Sequence, residues 1–129
     1  MLLRKYMALL GVGSAKIDLI LEKDVYRPGE IVNGHFSIEG GNIEQKLKRI
    51  DCNLVLMDKA ANIEKVIDTK TILTTTQIDS EELYELSFVF QLPETMASSS
   101  DTLSYRFQTK LIFNEGVTSQ DQDLIEIIQ

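Results

Sequence analysis

A two-residue alternation of apolar and polar side chains recurs along most of this chain, and it limits the chain to strands. Ala15, Ile17, Leu19 and Leu21 alternate with Lys16, Asp18 and Glu22. Val32, Phe36 and Ile38 alternate with Asn33, His35, Ser37 and Glu39. Ile50, Cys52, Leu54 and Leu56 alternate with Asp51 and Asn53. Tyr84, Leu86, Phe88, Phe90 and Leu92 interleave with Glu85, Ser87 and Gln91, and Tyr105, Phe107, Leu111 and Phe113 with Ser104, Arg106, Gln108 and Lys110. Successive side chains of a strand point to opposite faces, so each run supplies one core face and one wet face.

Two further segments are strand-like. Glu64 to Ile78 is rich in threonine and β-branched residues, whose branched Cβ atoms favour a pleated backbone; its weak alternation suits an edge strand. Asp123 to Ile128 reads as a short final strand. Turns separate the runs: Tyr26-Arg27-Pro28-Gly29-Glu30, Gly40-Gly41-Asn42, Asp58 to Asn62, Asp79-Ser80-Glu81-Glu82, Ser98 to Asp101, and Asn114-Glu115-Gly116. About seven short strands with frequent turns predict an all-β, antiparallel, immunoglobulin-like sandwich in one domain over residues 1–129. Leu3, Tyr6, Met7 and Leu10 fall on one helical face, so residues 1–13 are expected to form a short N-terminal helical segment. The apolar stretch there is too short for a secretion signal.

Charge and cysteine content narrow the function classes. Lys and Arg total 13 against 20 Asp and Glu, a net charge of −7, which argues against nucleic-acid binding through phosphates. Cys52 is the only cysteine, so neither an intrachain disulfide nor a cysteine zinc site can form, and a reducing cytoplasmic setting is expected. No apolar run approaches the length of a membrane span, and attachment to a membrane surface is disfavoured.

Residues that carry chemistry in other proteins have plainer roles here. His35 is the only histidine and lies on the wet phase of its strand; Ser37 and Glu39 beside it make neighbours rather than a triad. Cys52 falls in an apolar phase, where a thiol acts as a small hydrophobe. Asp101, Asp121 and Asp123, or Asp79, Glu81 and Glu82, match no calcium-loop spacing. Gly11-Val12-Gly13 precedes a strand and is too short to cradle phosphate. No catalytic residue, cofactor or metal is therefore expected. A basic face from Lys46, Lys48, Arg49, Arg106 and Lys110, and the apolar terminal strand with Leu124, Ile127 and Ile128, are the candidate partner surfaces. The edges Lys65 to Gln77 and Leu124 to Ile128 would leave backbone groups unpaired and invite strand addition, including a homodimer formed by strand swapping.

Several of these segments together resemble a known family. Leu10-Gly11-Val12-Gly13-Ser14-Ala15-Lys16-Ile17 and Tyr26-Arg27-Pro28-Gly29-Glu30-Ile31-Val32-Asn33-Gly34 are similar to the bacterial sporulation-control family of arrestin-like fold. Ile50 to Leu54, Phe88 to Pro93 and Tyr105 to Leu111 fit the same pattern. The resemblance implies an arrestin-like sandwich and a cytoplasmic regulator or scaffold of sporulation and cell division, with no catalytic residues. It also implies that this chain corresponds to the first of two sandwich domains. The expected function is a non-catalytic adaptor holding a protein partner. The alternative is a calcium- or small-ligand-binding sandwich.

Overall fold

The computed structural model describes residues 15–41, 44–74, 76–114 and 118–129. The expected helical segment over residues 1–13 lies outside them. The described residues form nine strands: β1 (Lys16–Leu21), β2 (Val25–Tyr26), β3 (Ile31–Glu39), β4 (Gln45–Asp58), β5 (Ile63–Leu73), β6 (Gln77–Ile78), β7 (Leu83–Gln91), β8 (Leu103–Phe113) and β9 (Thr118–Ile127). They make two sheets. One is β1-β3-β7; the other is β2-β9-β8-β4-β5, with β6 paired to one end of β4. The all-β sandwich expected from the alternation is borne out, with one departure. The two-residue β2 runs parallel to β9, Val25 opposite Glu126 and Tyr26 opposite Ile127.

Each alternating run places its apolar phase inside. Phe36, Phe88, Phe90 and Phe107 form the centre of the core, and Phe88 and Phe107 meet edge to face across the sheets with ring centroids 5.5 Å apart. Edge-to-face contact sets the positive ring edge against the negative ring face, which adds to the hydrophobic gain of burying both rings. Two buried tyrosines satisfy their hydroxyls locally: Tyr26 donates to the Lys23 carbonyl at 2.7 Å and Tyr105 to the Ala97 carbonyl at 2.8 Å.

The turns behave as their residues require. Glu30 N–H donates to the Arg27 carbonyl at 3.1 Å, closing a turn in which Pro28 presets its own φ and Gly29 adopts φ 80°. Positive φ at the third position is the type II requirement that glycine meets without a Cβ clash. Gly34 is needed for a different reason. A Cβ there would overlap the Ile20 carbonyl oxygen of the neighbouring strand.

The terminal strand is a correction to the expected edges. β9 is longer than Asp123 to Ile128 and lies inside its sheet. It pairs with β8 along its length and with β2 near its end. Glu126 N–H donates to the Asp24 carbonyl and Ile128 N–H to the Tyr26 carbonyl, which occupies backbone groups that a free edge would leave open. Ile127, expected on a partner surface, is a core residue 1% exposed. Among the described residues, the open edges on the other side of the sandwich are β5 and β7.

Candidate functional site

β5 and β7 face each other across a seam on one side of the sandwich. β5 is exposed along most of its length, with Ile63 and Val66 each 50% and Leu73 80% exposed. Across the seam, Leu83 and Val89 of β7 are 64% and 47% exposed. Several features restrain β5 as an edge. Its pairing with β4 shifts register between Leu54 and Val55, and Lys70 and Asp68 sit on its core-facing phase, opposite Cys52 and Leu54. Bulges and inward-pointing charges are common devices against unwanted strand pairing. Lys70 crosses the seam and its ammonium donates to the Val89 carbonyl of β7. Tyr84 and Leu86 of β7 and Ile67 and Ile72 of β5 pack partly buried against the core.

The basic residues do not join into one face. Arg49, Arg106 and Lys110 share the outer face of the larger sheet, but acidic side chains are interleaved with them. Arg49 Nε donates to Asp51 Oδ2 at 3.1 Å, and Asp51 lies opposite Lys110 in register. Arg106 has a side chain only 17% exposed, pairs with Glu64 and lies against the Met57 sulfur. Its Nε is buried with no hydrogen-bond partner among the described residues. Lys46 and Lys48 are exposed at the other end of β4, where its pairing with β8 is irregular. Leu124 is 73% exposed on the outer face opposite Arg106, and Ile128 is 38% exposed beyond β9. Leu124 also borders a shallow concavity with Asp24, Val25, Ser99, Leu103 and Glu126.

At the opposite seam, β1 meets β9. Leu19 N–H donates to Asp121 Oδ2 at 2.8 Å. Asp18, Asp121 and Asp123 each bring a carboxylate oxygen within 4.8 Å of the others. Burial pushes the Asp123 carboxyl up to about 7, helped by the hydrogen bond and charge of Asp121 and the charge of Asp18. Burial and Asp121 also raise Asp18. Asp123 Oδ2 is buried with no hydrogen-bond partner among the described residues. Of the acidic residues considered from sequence, Asp121 and Asp123 come together here, while Asp101 sits in the turn before β8. Asp18 went unnoticed because its strand alternation marks it only as outward-facing.

The remaining reactive groups are placed as expected. Cys52 is 1% exposed, and burial pushes its thiol up to about 11 despite a contact to Thr109 Oγ1 at 3.7 Å. His35 is half-buried on the outer face of the smaller sheet, between Ile20 and Ser87 in register. No helix among the described residues is long and apolar enough to cross a membrane.

The two facing sheets, their shared apolar core and a buried thiol describe an arrestin-like β-sandwich. The chain belongs to the Spo0M family, described as SpoOM protein, which matches residues 3–129. It is 31% identical over 128 residues to the sporulation-control protein spo0M of Bacillus subtilis strain 168, covering 95% of this chain and 50% of that protein. The crystal structure of Spo0M from Bacillus subtilis superposes with a TM-score of 0.83 at 29% identity, over 92% of this chain and 51% of that one. The chain thus spans about half the length of these relatives. The Pseudomonas fluorescens alkylpurine DNA glycosylase AlkC, bound to DNA with an abasic-site analogue, matches with a TM-score of 0.54 at 15% identity. That match covers 98% of this chain and 33% of AlkC, a likeness of fold alone.

Proposed function

We propose that this chain is a non-catalytic adaptor of sporulation control, acting in the cytoplasm of a bacterium by binding another protein along its open sheet edges. Membership of the Spo0M family supports the regulatory setting. The observation that carries the binding mode is the β5–β7 seam, where Val66, Leu73, Leu83 and Val89 are exposed beside unpaired strand edges. Exposed apolar residues on an open edge favour strand-to-strand association. A homodimer is the self-partner form of the same reading. Its footing is the β5 side of this seam, since the Glu126–Ile127 end of β9 is covered by β2.

The test is affinity capture from the cytosol of the source bacterium, comparing the natural chain with Val66→Lys/Leu73→Lys. A specific partner lost in the folded variant supports the adaptor. Equal capture by both overturns the edge as its surface. The alternative calcium-binding reading draws on the Asp18, Asp121 and Asp123 cluster. A rise in melting temperature with calcium would favour it, because a ligand that binds only the native state stabilises that state.

A further inference from the structure

The direction of each backbone group on β7 follows from the hydrogen bonds around it. Leu92 N–H donates to the Glu30 carbonyl, and Gly40 N–H to the Glu82 carbonyl, so the even-numbered residues face β3. In an antiparallel ladder both backbone groups of a residue point the same way and alternate along the strand. Leu83, Glu85, Ser87 and Val89 therefore direct their N–H and C=O groups away from β3. Among the described residues the sheet ends there, since β7 is the last strand of β1-β3-β7. The Lys70 ammonium at the Val89 carbonyl confirms the direction independently. It places a donor where the N–H of an added strand would stand.

The side chains around this edge specify what could lie along it. A strand beside β7 would set every second side chain over Tyr84, Leu86, Ile67 and Ile72, which are only partly buried. Those positions want apolar residues. Its other side chains would lie beside Leu83, Glu85, Ser87 and Val89 on the outer face. Glu85 is exposed and joins none of the salt bridges among the described residues, which are Lys23–Glu30, Arg49–Asp51 and Arg106–Glu64. An opposite charge directly across a strand pair is favourable and a like charge is not.

We propose that the free edge of β7 accepts an extended peptide strand from a partner protein, apolar at alternate positions and basic opposite Glu85, which displaces the Lys70 ammonium from the Val89 carbonyl. The proposal rests on the adaptor reading above and names the partner's chemistry. Lys70 acts as a placeholder that keeps the edge from pairing indiscriminately. Self-pairing centred on Glu85 is disfavoured by the same charge argument, because a second β7 would set its own Glu85 directly opposite.

A short synthetic peptide of alternating valine and lysine is the probe, with hydrogen exchange and calorimetry as readouts. Binding is expected to slow exchange at the Glu85, Ser87 and Val89 amides. Ser87→Pro removes an outward N–H and leaves the β3 ladder intact, as proline on an edge strand allows. It should weaken the probe about tenfold or more while the protein still melts cooperatively. Lys70→Met keeps the stem and removes the competing donor, so affinity should rise about threefold to tenfold. If Ser87→Pro does not fold, Glu85→Lys decides: it should lose the valine–lysine peptide and gain a valine–glutamate one. Unchanged binding in these variants, protection that maps to β5, or protection that grows with protein concentration alone would overturn the proposal. Cytosolic capture that survives Ser87→Pro but not Val66→Lys/Leu73→Lys would overturn it while leaving the adaptor standing.

Discussion

The backbone N–H of Leu19 on β1 and the carboxylate of Asp121 on β9 are joined at 2.8 Å, a hydrogen bond between residues 102 positions apart that ties one sheet to the other. Asp123 and Asp18 crowd the same bond. A carboxylate accepting a backbone N–H is well placed, but three carboxylates at one seam repel when all are ionised.

This crowding predicts stability that falls as the solution becomes less acidic. The Asp123 carboxyl is raised from 3.8 to about 7 by burial, then by Asp121 and Asp18. The folded state therefore holds a proton that the unfolded state releases between these values. Stability from this group is fully present below pH 3.8 and lost as pH rises through about 7. The charge of His35 lowers Asp18 and partly offsets the repulsion. Asp123→Asn should flatten the pH dependence and raise stability at pH 8, by about 1 kcal/mol given solvent screening. Thermal unfolding of both proteins across this range checks it.

Gly34 should tolerate no side chain. A Cβ at this position would overlap the Ile20 carbonyl oxygen, a backbone atom that cannot rotate aside. Gly34→Ala is expected to cost about 3 kcal/mol, as overpacking against a fixed neighbour does. Urea titration should show a lower midpoint with an unchanged slope.

Phe88 touches three other aromatic rings, with centroids 5.1 Å from Phe36, 6.0 Å from Phe90 and 5.5 Å from Phe107. Phe88→Ala removes contacts to both sheets at once and should cost roughly 3–5 kcal/mol. Phe88→Leu should retain more than half of that stability. Chemical denaturation of the two variants measures the difference.

The Cys52 thiol, pushed up to about 11 by burial, should resist thiol reagents at pH 8 in the folded protein. Labelling should appear only as the chain unfolds. Fast labelling under native conditions would show that the core opens locally near Thr109.

The strands were legible because most have one buried face, which stamps a period of two on their side chains. The edges were less so. β7 has the same clean alternation as an interior strand, and nothing in its residues says that no strand follows it in space. β9 misled in the opposite sense. An apolar strand near the chain terminus suggested an edge, but Val25 and Tyr26, a two-residue strand too short to show periodicity, cover the far side of its Glu126–Ile127 end. The acidic neighbours of the basic residues were hidden for a related reason. Arg49, Arg106 and Lys110 do share a face, and Asp51 falls beside Arg49 by strand spacing, yet Glu64 reaches Arg106 from another strand, which spacing along one strand cannot reveal. Gly34, by contrast, was readable as structural, since a glycine inside a strand implies close backbone approach.

The parallel pairing of β2 with β9 brings a segment near residue 25 onto one near residue 126. This pairing, and the Leu19–Asp121 bond beside it, require loop closure over nearly the whole described chain before either contributes any stability. A growing polypeptide on the ribosome can pair β1 with β3 early, but it cannot seal the sandwich until β9 has emerged. Folding should therefore be slow and late, and until that moment the apolar faces of both sheets would be exposed to chaperones.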